Sequence, residues 1–150
     1  MTTLKAGDQA PQFSGVDEAG KTHVLADYKG KKLVVFFYPK ASTPGCTAEA
    51  CDLRDNFQRF ELNNFALLGV SADSAKSQLK FKEKYELPFS LLADEGRSVI
   101  EAFGVWGPKK FMGKEYDGIH RTTFIIDENG IIEEVIEKVK TKEHAAQILK

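Results

Sequence analysis

Apolar residues are grouped along this chain in short continuous runs that alternate with more polar stretches. One such run, residues 33–38, is apolar at every position and lies between two lysines and a proline. A run of this kind is typical of a strand buried on both faces of a sheet. Similar runs predict four further strands, at 65–70, 89–92, 122–126 and 131–136.

Between these runs, apolar positions recur at the three- to four-residue spacing of amphipathic helices. The pattern predicts four helices, at about 44–62, 74–85, 97–103 and 141–149. The first is preceded by Thr43 and Pro44, which suit the N-cap and the first helical position. Ser71 or Asp73 is expected to cap the second helix.

The order of these elements predicts an α/β fold. We expect a mixed central sheet, parallel where helices cross over, with helices on its faces and an antiparallel hairpin at one side. Asn129 and Gly130 suit the turn of that hairpin. A smaller hairpin is expected over 17–32, ahead of the core. No repeat or linker-like segment interrupts the chain, so residues 1–150 are predicted to form a single domain.

Composition and charge narrow the classes of function. Hydrophobic residues make up 42% and charged residues 29% of the chain, as in ordinary globular proteins. The 21 basic and 22 acidic side chains nearly cancel, which argues against a surface for nucleic acid or anionic membrane. Neither a targeting signal nor a bilayer-spanning stretch is recognisable. With only two cysteines, the chain is predicted to act in the reducing cytoplasm, without a persistent structural disulfide.

The first cysteine, Cys46, lies just past the first buried strand. It falls in the first turn of the predicted helix, where free backbone N–H groups and the helix dipole favour a thiolate. Gly45 before it allows the backbone to pack closely. Cys46 is therefore a candidate nucleophile. The alternative is a small apolar residue at a helix start.

The second cysteine, Cys51, follows five residues later, and helix geometry limits what the pair can do. On an intact helix two such Cα atoms lie roughly 8–9 Å apart, beyond the separation of about 7 Å that a disulfide tolerates. Either the cysteines never pair, with Cys51 inert on the core side, or the first turns unwind when they do. Zinc binding is disfavoured because His23, His120 and His144 are isolated. A thioredoxin-type dithiol is disfavoured because C-x-x-C is absent.

Several segments together resemble one protein family. Residues 39–47, PKASTPGCT, match the P-x-x-x-T-x-x-C signature of the peroxiredoxins. EACDLRD, at 49–55, is similar to the bacterioferritin comigratory protein branch, also called the Q type. The resemblance extends over nearly the whole chain through GDQAPQF at 7–13, GVSADS at 69–74, FGVW at 103–106 and GIHRTTF at 118–124. Ala41 and Ser42 depart from the branch, in which two aspartates are frequent at these positions.

This resemblance implies a thioredoxin-like fold and a thiol peroxidase that needs no metal or organic cofactor. Cys46 would be the peroxidatic cysteine, which attacks a hydroperoxide and becomes a sulfenic acid. Cys51 would be the resolving cysteine, and thioredoxin or a similar dithiol protein would reduce the resulting disulfide. Thr43 would hydrogen-bond the peroxide, Arg121 would stabilise the thiolate and the leaving oxygen, and Pro39 would shield the sulfur.

The remaining expectations concern specificity and surroundings. The enzyme is expected to be a monomer that acts on hydrogen peroxide and organic hydroperoxides in antioxidant defence. Glu49 shares the helix of Cys46 and is expected either to support the site or to be solvated or structural. Two other classes stay open at this point. One is a dithiol–disulfide exchange protein of the same fold, and the other is a binding or chaperone domain with inert cysteines.

Residues 107–120 are predicted to form a long loop, a kind of connection that is often functional. Phe111, Met112 and Tyr116 lie within this loop among lysines. These side chains would either form an apolar lip to the peroxide pocket or pin the loop to the core.

Overall fold

A computed structural model describes residues 2–150 and has nine β-strands and five α-helices within them. The strands are β1 Ser14–Val16, β2 Thr22–Val24, β3 Lys32–Phe37, β4 Phe65–Ser71, β5 Ser90–Ala93, β6 Trp106–Phe111, β7 Lys114–Ile119, β8 Thr122–Ile126 and β9 Ile132–Ile136. The α-helices are α1 Pro44–Asp55, α2 Phe57–Leu62, α3 Ala75–Tyr85, α4 Ser98–Ala102 and α5 His144–Ile148, and a 3-10 helix covers Leu25–Tyr28.

The central sheet has the strand order β5-β4-β3-β8-β9. β3, β4 and β5 are parallel and are joined by helical crossovers, whereas β8 and β9 are antiparallel to their neighbours. The β8–β9 turn runs over residues 127–131, and Gly130 within it has a φ of 82°, which glycine adopts without strain. The predicted mixed α/β architecture is therefore confirmed.

Side chains of β3 alternate between two hydrophobic cores, one on each face of the sheet. Val34 and Phe36 point into the core that α1, α2, α3 and α5 cover. Leu33, Val35 and Phe37 point into the core beneath α4 and the first hairpin. All five side chains are at most 1% exposed, and each contributes on the order of 1.5–3 kcal/mol by its burial. β3 is thus buried on both faces, as its continuous apolar run predicts.

Three predicted helical features differ in detail. The helix expected over 44–62 breaks at Asn56, whose φ of −109° and ψ of 12° are not helical, so it forms α1 and α2. Ser74, not Ser71 or Asp73, caps α3, because its hydroxyl accepts the backbone N–H of Ser77. The last helix is shorter than expected and covers only α5.

Two predicted connections are also corrected. The first hairpin has its turn near Gly20 as expected, but its strands are only β1 and β2, and the 3-10 helix replaces the rest of the second arm. The predicted long loop is a β-hairpin, β6–β7, with its turn at Met112 and Gly113. Three lysines and two acidic residues lie in its two strands, so no apolar alternation marks them in the sequence.

No helix within residues 2–150 is both long and apolar enough to cross a membrane. The organisation of residues 1–150 as a single domain stays a prediction.

Candidate active site

The pairing of β8 with β3 places Arg121 beside Cys46. β8 runs antiparallel to β3, and Thr122 at its start pairs with Phe37 at the end of β3. Arg121, directly before β8, therefore lies at the sheet edge where the chain leaves β3 and enters α1. Residues 75 positions apart in sequence are brought into contact in this way.

The guanidinium of Arg121 joins the sulfur of Cys46 to a buried carboxylate. Arg121 Nη2 donates to Cys46 Sγ at 3.1 Å, and Arg121 Nη1 donates to Glu49 Oε1 at 2.6 Å. Cys46 is 2% exposed and Glu49 is fully buried. Since Cys46 lies in the first turn of α1, the free N–H groups of the helix start and Arg121 both favour negative charge on its sulfur.

Burial and charge act against each other at this site. Burial opposes the charge of Arg121, yet Glu49 and Cys46 together hold the pKa of Arg121 above its ordinary value. Burial raises the pKa of Glu49 to about 7, although Arg121 pulls it down. Lys109 is also close: burial and Arg121 lower its pKa, and Cys46 raises it. Two basic side chains, Arg121 and Lys109, thus act on the sulfur of Cys46.

The loop before Cys46 shapes the approach to its sulfur. Thr43 has the extended backbone of an N-cap, but its hydroxyl makes no capping bond and donates instead to the Lys40 carbonyl at 2.8 Å. That hydroxyl oxygen keeps lone pairs that can accept a hydrogen bond from a peroxide. A side chain at Gly45 would bring its Cβ to 3.3 Å from Arg121 Nη2, so glycine allows the guanidinium to approach. Pro39 is half-buried between β3 and this loop.

Cys51 is half-buried on the same unbroken helix as Cys46, and both cysteines are free. Five residues of intact helix hold their Cα atoms roughly 8–9 Å apart. The helix therefore has to open before the two sulfurs can meet.

A polar network that the sequence analysis missed supports the loop. Asp73 Oδ2 accepts the backbone N–H of Ala41 at 2.8 Å and the hydroxyl of Ser71 at 2.6 Å. Gln78 donates to that Ser71 hydroxyl and accepts from the buried Tyr38 hydroxyl at 2.5 Å. The hydroxyl of Tyr38, which needs a partner when the side chain is buried, is a signal for this network in the sequence.

His144 is a second residue that the sequence analysis did not place at the site. It is fully buried in α5, and its Nε2 lies 3.5 Å from Glu49 Oε2. In the sequence His144 is an isolated histidine, and no spacing of residues indicates that α5 contacts α1.

The three apolar side chains of the β6–β7 hairpin are exposed. Phe111 is 65%, Met112 87% and Tyr116 48% exposed, so the idea that they pin this segment to the core is wrong.

An apolar lip to the peroxide pocket stays a prediction. Phe111→Ala tests it, because we expect slower turnover of cumene hydroperoxide with unchanged turnover of hydrogen peroxide. An equal loss for both substrates would refute the lip.

Comparison with known proteins identifies the family. Residues 6–135 match the model of the AhpC/TSA family. The chain is 50% identical over 149 residues to peroxiredoxin Bcp of Escherichia coli, covering 99% of this chain and 96% of that protein. It is 48% identical over 147 residues to peroxiredoxin Bcp of Bacillus subtilis, covering 98% of this chain and 94% of the relative. This chain belongs to the AhpC/TSA family, as a peroxiredoxin of the Bcp branch.

Solved structures of related peroxiredoxins have the same fold. Peroxiredoxin Q of Xanthomonas campestris superposes with a TM-score of 0.86 at 36% identity, covering 91% of this peroxiredoxin and 87% of that chain. A PrxQ mutant of Xylella fastidiosa superposes with a TM-score of 0.92 at 31% identity, covering 99% and 95%. The thioredoxin-like fold is thereby confirmed, and this peroxiredoxin is a thiol peroxidase.

Proposed function

We propose that this enzyme reduces hydroperoxides through a sulfenic acid on Cys46 and a transient disulfide between Cys46 and Cys51. The contact from Arg121 Nη2 to Cys46 Sγ at 3.1 Å is the observation that carries the proposal. A buried sulfur at a helix start, hydrogen-bonded by a guanidinium, is favoured as a thiolate, which is the nucleophilic form.

In the first step the Cys46 thiolate attacks the terminal oxygen of a hydroperoxide. The S–O bond forms as the O–O bond breaks, and sulfur is oxidised to the sulfenic acid. The departing oxygen takes a proton from solvent, to which the Cys46 thiol had released its own, and leaves as water or an alcohol. Arg121 stabilises the negative charge as it passes from sulfur to the departing oxygen. The Thr43 hydroxyl oxygen holds the peroxide O–H, and Pro39 keeps water from the sulfur.

In the second step the Cys51 thiol condenses with the sulfenic acid. The S–S bond forms, the S–O bond breaks, and water leaves. Because both cysteines lie on α1, its first turns must unwind, and the hydrogen bond from Arg121 to Glu49 must break as they do. Oxidation of Cys46 is thus coupled to local unfolding of the helix.

We further propose that thioredoxin or a similar dithiol protein closes the cycle. Its two thiols give up two electrons and two protons through a mixed disulfide, which restores both cysteines. The Xanthomonas campestris bacterioferritin comigratory protein has alkyl peroxide reduction activity, which supports organic hydroperoxides as substrates here too. The cytoplasmic location and the monomeric state predicted from sequence belong to the same proposal, and sedimentation at several protein concentrations tests the monomer.

Cys51→Ser tests the second step. We expect this variant to consume one equivalent of hydrogen peroxide as fast as the wild-type protein, because Cys46 and Arg121 are untouched. It should then stop, since no disulfide forms for thioredoxin to reduce. Stopped-flow fluorescence of Trp106 measures the first phase, and NADPH oxidation coupled through thioredoxin reductase measures recycling. Undiminished steady-state turnover in Cys51→Ser would remove Cys51 from the cycle.

A further inference from the structure

Glu49 and His144 are buried titratable groups whose contact the proposed chemistry does not use. Both side chains are fully buried. Glu49 Oε1 is bound by Arg121, but Glu49 Oε2 has no hydrogen-bond partner within residues 2–150. The nearest ring atom is His144 Nε2, at 3.5 Å. A buried acceptor left without a donor costs about 1–3 kcal/mol, so this contact requires an explanation.

The surroundings of His144 determine which of its nitrogens carries a proton. Its Nδ1 lies 2.8 Å from Gln147 Oε1. That amide is oriented by the main chain, because Oε1 accepts the N–H of Lys140 and the Gln147 amide N–H donates to the Lys138 carbonyl. Gln147 Oε1 is therefore an acceptor, and His144 Nδ1 must be its donor.

It follows that His144 Nε2 carries a lone pair in the neutral ring. The Thr123 hydroxyl, 2.7 Å away and fully buried, is the other polar group at this atom, and it can rotate to donate to Nε2 or to accept from it. An ionised Glu49 would then turn the free electron pairs of Oε2 toward the single ring lone pair of Nε2. One added proton, on either atom, makes the contact attractive once the Thr123 O–H is turned away from that lone pair.

We propose that Glu49 and His144 share one proton in the peroxide-reactive enzyme, and that His144 is thereby a positioning residue that acts on Cys46 through Glu49 and Arg121. The inference rests on the proposed function of Cys46. While Glu49 carries the proton, the positive charge of Arg121 acts on the thiolate alone. When Glu49 ionises, two buried anions compete for one guanidinium, and the thiolate is less well stabilised.

The charges around the pair agree with a proton on Glu49. Burial raises the pKa of Glu49 to about 7. Burial lowers the pKa of His144, against the opposing effects of Gln147 and Asp52. The charged groups that act on the pair are Asp52 of α1 and Arg121, directly before β8. Cys46 of α1 and Lys109 of β6 interact in turn with Arg121.

The pH dependence of the first oxidation tests this proposal. Below pH 7 the shared proton is present, and above pH 7 it is lost. We therefore expect the second-order rate constant with hydrogen peroxide to fall by about tenfold above neutrality, the effect of one pKa unit of differential interaction. Glu49→Gln keeps an acceptor for Arg121 and places an N–H toward His144, so it mimics the protonated carboxyl. In this variant the fall of the rate constant above pH 7, the descending limb of the pH profile, should disappear.

His144→Asn and a control variant complete the test. Asparagine keeps a donor toward Gln147 but lacks Nε2, so the proton on Glu49 no longer has an acceptor in residue 144. The pKa of Glu49 should therefore fall, and the descending limb should move about one pH unit lower. Ala146→Gly, on the exposed side of α5, weakens that helix without touching Glu49 and should leave the limb in place. Infrared spectra of the reduced protein at pH 6 should show a protonated carboxyl band that Glu49→Gln lacks, which provides a readout should His144→Asn fold poorly.

The outcomes separate this proposal from the one on which it rests. A limb that survives Glu49→Gln would assign the titration to another group, such as Lys109, and would overturn the proposal. So would a limb that His144→Asn leaves in place, or the absence of the carboxyl band. If Cys46 fails to react at any pH, it is the proposed function that is wrong.

Discussion

Cys46→Ser should lose at least about 10³-fold of its peroxide turnover, the scale on which removal of a nucleophile is felt in enzymes. The serine hydroxyl is nearly isosteric with the thiol but does not ionise at neutral pH, even beside Arg121 and the start of α1. Peroxide consumption measured with a ferrous dye, with thioredoxin and its reductase supplied, gives the steady-state rate.

Cys51→Ser is the matched control for that result. It also removes one sulfur from α1, but it should retain the fast first oxidation. Circular dichroism of the two variants shows whether α1 is retained in both. Persistent turnover in Cys46→Ser would end the assignment of Cys46 as the nucleophile.

Arg121→Gln should slow the first oxidation by about 10²–10³-fold, the loss typical of removing one preorganised donor from a charge-stabilising site. Glutamine can still donate to a sulfur, but it carries no charge for the thiolate or the departing oxygen. The substitution also removes the guanidinium that donates to the buried Glu49 side chain. The second-order rate constant from stopped-flow fluorescence is the measurement.

Two further substitutions make the result specific to the guanidinium. Arg121→Lys restores the charge without the two-pronged geometry that binds Cys46 and Glu49 together, so a partial recovery is expected. Arg54→Gln removes an arginine of α1, the helix of Cys46, that pairs with Asp55 and donates to the Tyr85 carbonyl, and it should leave the rate unchanged. Equal rates for Arg121→Gln and the wild-type protein would exclude Arg121 from the chemistry.

The sequence predicted those elements whose local signals are strong. β3 is a continuous apolar run, and the start of α1 carries the Thr43-Pro44 signature, so both were placed within a residue or two. The β6–β7 hairpin is not predicted because most of its residues are exposed and its strands bury no alternating face. The break between α1 and α2 at Asn56 escaped because the apolar spacing continues across it to Phe60.

The site was harder to predict than the fold because it depends on contacts between distant segments. The first turn of α1 points to Cys46 from local signals alone. Arg121 came only from the family resemblance, since its approach depends on the register of Thr122 against Phe37. Glu49 and His144 meet because α5 packs against α1, and no spacing within either helix reveals that contact.

The most direct test of the central claim follows the two thiols of fully reduced protein after one equivalent of hydrogen peroxide. The account predicts that both thiols disappear orders of magnitude faster than free cysteine reacts. The intact mass should fall by about two units, the loss of two hydrogens on disulfide formation. Peptide mapping should then join Cys46 to Cys51. Thiol loss no faster than that of free cysteine would contradict the account, however quickly the same protein reacts with a small disulfide.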